Sequence, residues 1–161
     1  MKRFLAILIV AMTVLGLSAQ TKKAVVAYFS ATGTTEAVAK QLAKEKKAVL
    51  YAIEPAEKYT TADLNWHDKK SRSSVEMNDK KARPALKSKK SLAGYDVIYL
   101  GYPIWRGVAP RIINTFIEQA DLEGKTVIPF ATSGGSGIEQ SVSELKTTYP
   151  SVKWQKGMLK N

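Results

Sequence analysis

Residues Lys23-Ala24-Val25-Val26-Ala27-Tyr28-Phe29, followed at once by Ser30-Ala31-Thr32-Gly33-Thr34-Thr35, decide the fold. The first seven are almost continuously apolar, the pattern of a parallel strand buried on both faces rather than one with a wet side. The next six carry four hydroxyls and one glycine, a tight polar turn. Glu36 to Lys47 then sets Ala37, Val38, Leu42 and Ala43 at helical spacing among lysines. Strand, turn and amphipathic helix in that order open a β/α alternation.

The alternation continues outward. Ala48 to Ile53 reads as a second strand, Val97 to Tyr102 as a third and Thr126 to Ala131 as a fourth. Pro110 suits the first turn of a helix, whose buried stripe is Ile112, Ile113, Phe116 and Ile117. Ile138 to Thr148 is the helix after strand four, and Val152 to Leu159 a short fifth strand. Such spacing predicts an α/β domain with a parallel sheet and helices on both faces. One stretch breaks the pattern: residues 54–94 form a long polar insertion, and its 69–90 portion holds nine basic residues against two acids.

In open parallel sheets, ligands bind beyond the carboxyl ends of the strands, where strand order switches. Three turns there are rich in chemistry. Ser30 to Thr35 precedes a helix start, whose free N–H groups and partial positive charge attract an anion. The hydroxyls add donors, and the absence of a lysine marks a phosphate nest unlike that of an ATPase. Gly101-Tyr102-Pro103-Ile104-Trp105-Arg106-Gly107 places an indole between a proline-fixed strand end and a glycine, a position suited to stacking on a planar ligand. Thr132-Ser133-Gly134-Gly135-Ser136-Gly137 allows close backbone approach to a ring's polar edge.

Rival motifs fail. Gly124-Lys125-Thr126 resembles the end of an ATP-binding loop, but Gln119 stands where that motif needs glycine. Gly134-Gly135-Ser136-Gly137-Ile138 lacks the closing glycine of a hydrolase elbow. The chain has no cysteine and one histidine, His67, which excludes thiolate metal sites and thiol redox chemistry and leaves no spaced histidine–carboxylate metal set. His67, beside Trp66, reads as a loop residue. No catalytic residue and no metal ligand is assigned.

Taken together, the three turns resemble those of the flavodoxins, and most of all the exported bacterial branch of that family. Ala27 to Thr35 is similar to the FMN-phosphate loop, Leu100 to Trp105 to the first loop flanking the isoalloxazine, and Thr132 to Gly137 to the second. Arg72-Ser73-Ser74-Val75-Glu76 and Arg83-Pro84 are similar to that branch as well, so the resemblance spans about residues 23–159. It implies a flavodoxin-like doubly wound sheet of five strands in order 2-1-3-4-5, with FMN at the switch between strands one and three. By position, Ser30, Thr32, Gly33, Thr34 and Thr35 would hold the phosphate. Pro103, Ile104 and Trp105 would flank the ring, and Ser133, Gly134, Gly135 and Gly137 would bind its pyrimidine edge. Gly107 would let a peptide reorient on reduction.

The resemblance implies an electron carrier rather than a substrate-converting enzyme. The alternative is an FMN-dependent NAD(P)H:quinone-type reductase, because the third turn lacks an aromatic residue and leaves one ring face open. The family's last helix has no counterpart before Asn161. Its absence is expected to expose apolar sheet surface beside helix one, covered by a second subunit in a homodimer or by chain beyond Asn161.

Composition bounds the rest. With 161 residues, 45% hydrophobic and 24% charged, the chain suits one folded domain and is neither disordered nor multispanning. Lys2 and Arg3, the apolar run Phe4 to Leu17, and Ser18-Ala19 form signal-peptide grammar. The run is too short for a permanent anchor, which needs about 20 apolar residues. This predicts a leader over 1–19, cleaved after Ala19, a mature domain over 20–161, and export to the periplasm without a stable membrane anchor. Cleavage would lower the net charge from +11 to +9. That charge suits acidic redox partner proteins. A role in binding anionic polymers or lipids would rest on Lys69, Lys70, Lys80, Lys81, Lys89 and Lys90 alone, and no nucleic-acid motif accompanies them.

Overall fold

The structure, a computed structural model, describes residues 21–161, so the leader predicted over 1–19 lies outside the described residues. Strand β1 (Ala24–Tyr28) is paired on both edges and covered on both faces, and Val25, Val26 and Ala27 have no exposed surface. This is why its sequence is apolar without alternation. Helix α1 (Thr34–Lys46) follows, with Glu36 in its first turn and Lys44 and Lys46 in its last, each opposing the helix dipole favourably. Strand β2 (Val49–Ala52) lies beside β1 as the edge of the sheet.

Beyond the insertion come β3 (Val97–Pro103), α3 (Arg111–Ala120), β4 (Thr126–Thr132), α4 (Glu139–Thr148), β5 (Lys153–Trp154) and β6 (Met158–Leu159). All pairings are parallel, in the order β2-β1-β3-β4-β5, with β6 also on β4. The expected 2-1-3-4-5 order is therefore the observed one. Pro110 is the N-cap of α3, and Ile112, Ile113, Phe116 and Ile117 are all buried, as their spacing predicts. Each such side chain contributes roughly 1.5–3 kcal/mol of burial. They pack with Phe29, Ile98 and Leu100 on the α3/α4 face, while Val26, Tyr28 and Phe130 pack under α1 on the other.

Two elements differ from the sequence reading. The single strand expected over Val152 to Leu159 is split. Trp154 lies opposite Val127 and Met158 opposite Phe130, so the edge spends one residue more than β4 between those pairs, a bulge. Its cause is close packing: a Cβ on Gly157 would sit 2.9 Å from both Ile138 Cδ1 and Val142 Cγ2 of the α4 region. The insertion is also more ordered than a polar loop. It contains helix α2 (Arg72–Asn78), started by Ser71, whose Oγ accepts from Ser74 N at 3.3 Å. Its ends are closed by the Pro55–Leu86 bridge, and Leu92 anchors it in the core.

No helix follows β6 among the described residues. On the α1 face Val97, Tyr99 and Ile128 stay half-buried, whereas Val26 and Phe130 are fully covered. The expected apolar exposure is thus present only in part. Phe130 helps limit it, because its ring lies over Gly101 on β3, where a Cβ would come within 2.1 Å of Cζ.

Candidate functional site

The first turn is shaped by Gly33, at φ +95, a conformation that side-chain-bearing residues rarely adopt. Its N–H donates to Ser30 Oγ at 3.0 Å, folding the turn back on itself. Helix α1 starts directly after it with no side-chain cap, and its first bond runs from Ala37 N to Gly33 O at 3.0 Å. The N–H groups of Thr34, Thr35 and Glu36 therefore have no backbone acceptor. They form a concentrated set of donors at the positive end of a helix. Thr32 and Thr34 are exposed with their hydroxyls 3.5 Å apart, and the two carboxylates nearby are both paired, Glu36 with Lys40 and Glu54 with Lys87. The pairing with Glu36, through its hydrogen bond first, raises the Lys40 pKa.

Thr35 is the buried residue of this turn. Its hydroxyl is buried and bonds Thr132 Oγ1 at 2.8 Å, so what it offers a ligand is its N–H.

The second turn is a two-residue hairpin. Trp105 N donates to Val108 O at 2.9 Å and Val108 N to Trp105 O at 3.1 Å, with Arg106 at φ +49 and Gly107 at φ +83. Two successive positive φ values define the tight primed turn that usually takes Asn-Gly. An arginine there is strained, and its side chain is tied down: Nη2 donates to Ser74 Oγ at 2.9 Å, with longer contacts to Trp66 O and Asn78 Oδ1. Helix α2 of the insertion is thus bonded to the second turn.

Trp105 is half-buried and meets Phe29 and Tyr59 edge-on, at ring-centroid distances of 5.7 and 5.4 Å. Arg72 lies 4.1 Å over the Tyr59 ring, and Tyr59 Oη donates to Glu76 Oε2 at 2.6 Å while Arg72 Nε donates to Glu76 Oε1 at 2.7 Å. Burial first, and the Glu76 bond second, push the Tyr59 phenol far above its ordinary pKa and keep it neutral. Sequence reasoning missed Tyr59. Its one signal was an aromatic residue in an otherwise polar stretch.

The third turn is open. Gly134, Gly135, Ser136 and Gly137 are exposed, Gly135 N donates to Ser133 Oγ at 3.2 Å, and Ser133 N to Asn161 Oδ1 at 3.0 Å. The three turns converge. Thr35 joins the first to the third, Ile104 N donates to Thr132 O at 2.9 Å to join the second to the third, and Phe29 meets Trp105 across the first and second. A cavity of about 450 Å³ opens beside the first turn, lined by Ser30, Ala31 and Gly33 and, from the insertion, by Pro55, Lys58 and Tyr59. Open donors, an aromatic wall and a glycine-lined rim fit a ligand with an anionic tail and a planar head.

His67 is exposed and stacks on Trp66 with ring centroids 3.6 Å apart. Among the described residues no group of three histidines or carboxylates could hold a metal, and no helix is long and apolar enough to cross a membrane.

The family model for flavodoxin matches residues 23–161. Among solved structures, a protein assigned as a flavoprotein from Bacteroides uniformis ATCC 8492 is 62% identical, with 86% of this chain and 89% of that one covered and a TM-score of 0.84. Another from Bacteroides eggerthii DSM 20697 is 60% identical, with coverages of 86% and 87% and a TM-score of 0.85. A flavoprotein in complex with FMN from Lactobacillus acidophilus NCFM shares the fold at 22% identity, with coverages of 86% and 92% and a TM-score of 0.68. No curated protein matches the chain.

Proposed function

The chain belongs to the flavodoxin family, and from that premise we propose that it binds flavin mononucleotide at the three turns and serves as an exported electron-transfer protein. The observation that carries the reading is the convergence of an uncapped helix start with an aromatic turn and a glycine turn. The flavin supplies the redox step when bound.

The chain's own residues bind and orient it. Thr32, Gly33, Thr34 and Thr35 take the phosphate, mainly through N–H groups, with Ser30 fixing the shape of the turn. Pro103, Ile104 and Trp105 wall the ring, and Trp105 is itself held by Phe29 and Tyr59. Ser133, Gly134, Gly135 and Gly137 meet the polar edge. The positive charge supports an acidic protein partner, and the pattern of residues 1–19 supports export.

The test is a titration of the mature chain, residues 20–161, with flavin mononucleotide, followed by flavin fluorescence. Saturable one-to-one quenching, weakened in Trp105→Ala and in the double variant Thr32→Ala/Thr34→Ala, is the expected result. A folded chain that leaves the fluorescence unchanged would refute the proposal. The exposed, non-aromatic third turn favours a second reading, a reductase of quinone-type acceptors. Steady NAD(P)H oxidation by the loaded protein alone would select it over the carrier.

A further inference from the structure

Two rings meet the Trp105 indole nearly at right angles, Phe29 at 83° and Tyr59 at 87°. Phe29 directly follows β1 and is fully buried, so the sheet fixes it. Tyr59 belongs to the insertion and is only half-buried, so other contacts must fix it. It also lines the cavity beside the first turn, and so forms part of the wall on both sides.

Those contacts act on its ring, its hydroxyl and its backbone. Arg72 of α2 covers the ring at 4.1 Å, and the hydroxyl donates to Glu76 Oε2 at 2.6 Å. Arg72 Nε closes the triangle on Glu76 Oε1 at 2.7 Å, and its Nη1 donates to Glu57 O at 2.8 Å, two residues before Tyr59. One residue after it, Thr60 N donates to Asp63 Oδ2 at 2.8 Å and Asp63 N to Thr60 Oγ1 at 3.1 Å. Ser73 N of α2 then donates to Asp63 O at 3.0 Å. A half-exposed tyrosine tied in this way has little freedom, and the neighbour that shares its order is Trp105.

We propose that Tyr59 is a positioning residue of the flavin site: clamped by Arg72 and Glu76, it holds the Trp105 indole in the pose that favours oxidised over reduced cofactor. The proposal rests on the flavin reading. An indole is electron-rich and stacks best on a flat, electron-poor ring, which describes the oxidised flavin and not the reduced one. Loosening the indole therefore weakens the oxidised complex more, and the bound flavin becomes easier to reduce. A residue that only supported the fold would weaken both complexes alike and leave the potential unchanged.

The test compares the full chain with Tyr59→Leu, which removes the ring edge, and with Tyr59→Phe, which removes only the hydroxyl and keeps the packing. Oxidised flavin mononucleotide is titrated by fluorescence, and the midpoint potential of the loaded protein is read against redox dyes. Tyr59→Leu should bind the oxidised form roughly tenfold more weakly. Its potential should rise by up to about 30 mV, the two-electron equivalent of a tenfold change. Tyr59→Phe should give a smaller shift of the same sign. Without flavin, indole N–H signals of the nitrogen-15-labelled chain report the clamp directly: Trp105 should move in both variants and Trp154 should not. A potential that stays put or falls, or an unmoved Trp105 signal, would overturn the proposal. A parent chain that binds no flavin would instead refute the functional reading, and the Trp105 signal would still decide whether Tyr59 holds the indole.

Discussion

The Thr35 and Thr132 hydroxyls meet at 2.8 Å in the interior, 97 residues apart in the chain. That bond fixes the start of α1 against the end of β4, and with it the spacing between the first and third turns. Thr132→Val should destabilise the fold by about 1–3 kcal/mol, because it leaves the Thr35 hydroxyl buried without a partner. The double variant Thr35→Val/Thr132→Val should recover most of that loss, since both polar groups are then removed together. Urea unfolding of the two single variants and the double one measures the coupling.

Arg106 occupies its positive-φ turn because its side chain is anchored on α2. Arg106→Gly exchanges strain relief for lost hydrogen bonds, so global stability should stay within about 1 kcal/mol of the parent. The local effect should be larger. Amide exchange over Val75–Asn78 is expected to rise roughly tenfold, because α2 loses its tie to the turn. Unchanged protection there would mean that the anchor is dispensable.

Gly101 tolerates no side chain. Gly101→Ala drives a methyl group into the Phe130 ring and should cost about 2–3 kcal/mol in denaturant unfolding. Adding Phe130→Leu should return much of that stability, though Phe130→Leu alone is destabilising.

Tyr102 is fully buried, and its phenol donates to Ser141 Oγ at 3.0 Å, since the Ser141 hydroxyl proton is already given to Ile138 O. Burial pushes the phenol up to about 12, from an ordinary 10. Below pH 10 the folded and unfolded chains both keep this proton. Between 10 and 12 the unfolded chain loses it first, so stability falls as pH rises, by up to about 3 kcal/mol from this group. Tyr102→Phe should remove that component, giving a shallower loss of stability between pH 10 and 12.

What the sequence made legible was whatever rests on local pattern. The continuous apolar run of β1, the stripe of α3 and the first and third turns lie where local pattern puts them, while Gly101 to Pro103 of the second turn belong to β3. Features caused by distant partners were hidden. Helix α2 shows little apolar periodicity, since Val75 is exposed and only Met77 among its large apolar residues is buried. Tyr59 reaches Trp105 across 46 residues of chain, and Gly157 splits the last strand only because α4 presses on it. Nothing local to Thr35 reveals that its hydroxyl bonds Thr132, because that partner lies 97 residues along the chain.

The bulge between β5 and β6 has a consequence for what the sheet can meet. A sheet edge offers unpaired N–H and C=O groups to any passing strand, and a smooth edge is the most inviting. On the far side the extra residue at Gln155–Gly157 throws the ladder out of step, so an incoming strand finds no continuous row to match. On the near side β2 is unbroken and exposes Val49 and Leu50, but Lys46 and Lys47 lead into it and Lys90 sits 4.9 Å from the Tyr51 ring. One border is defended by shape and the other by charge, two unrelated means of keeping neighbouring chains from zipping onto the same sheet.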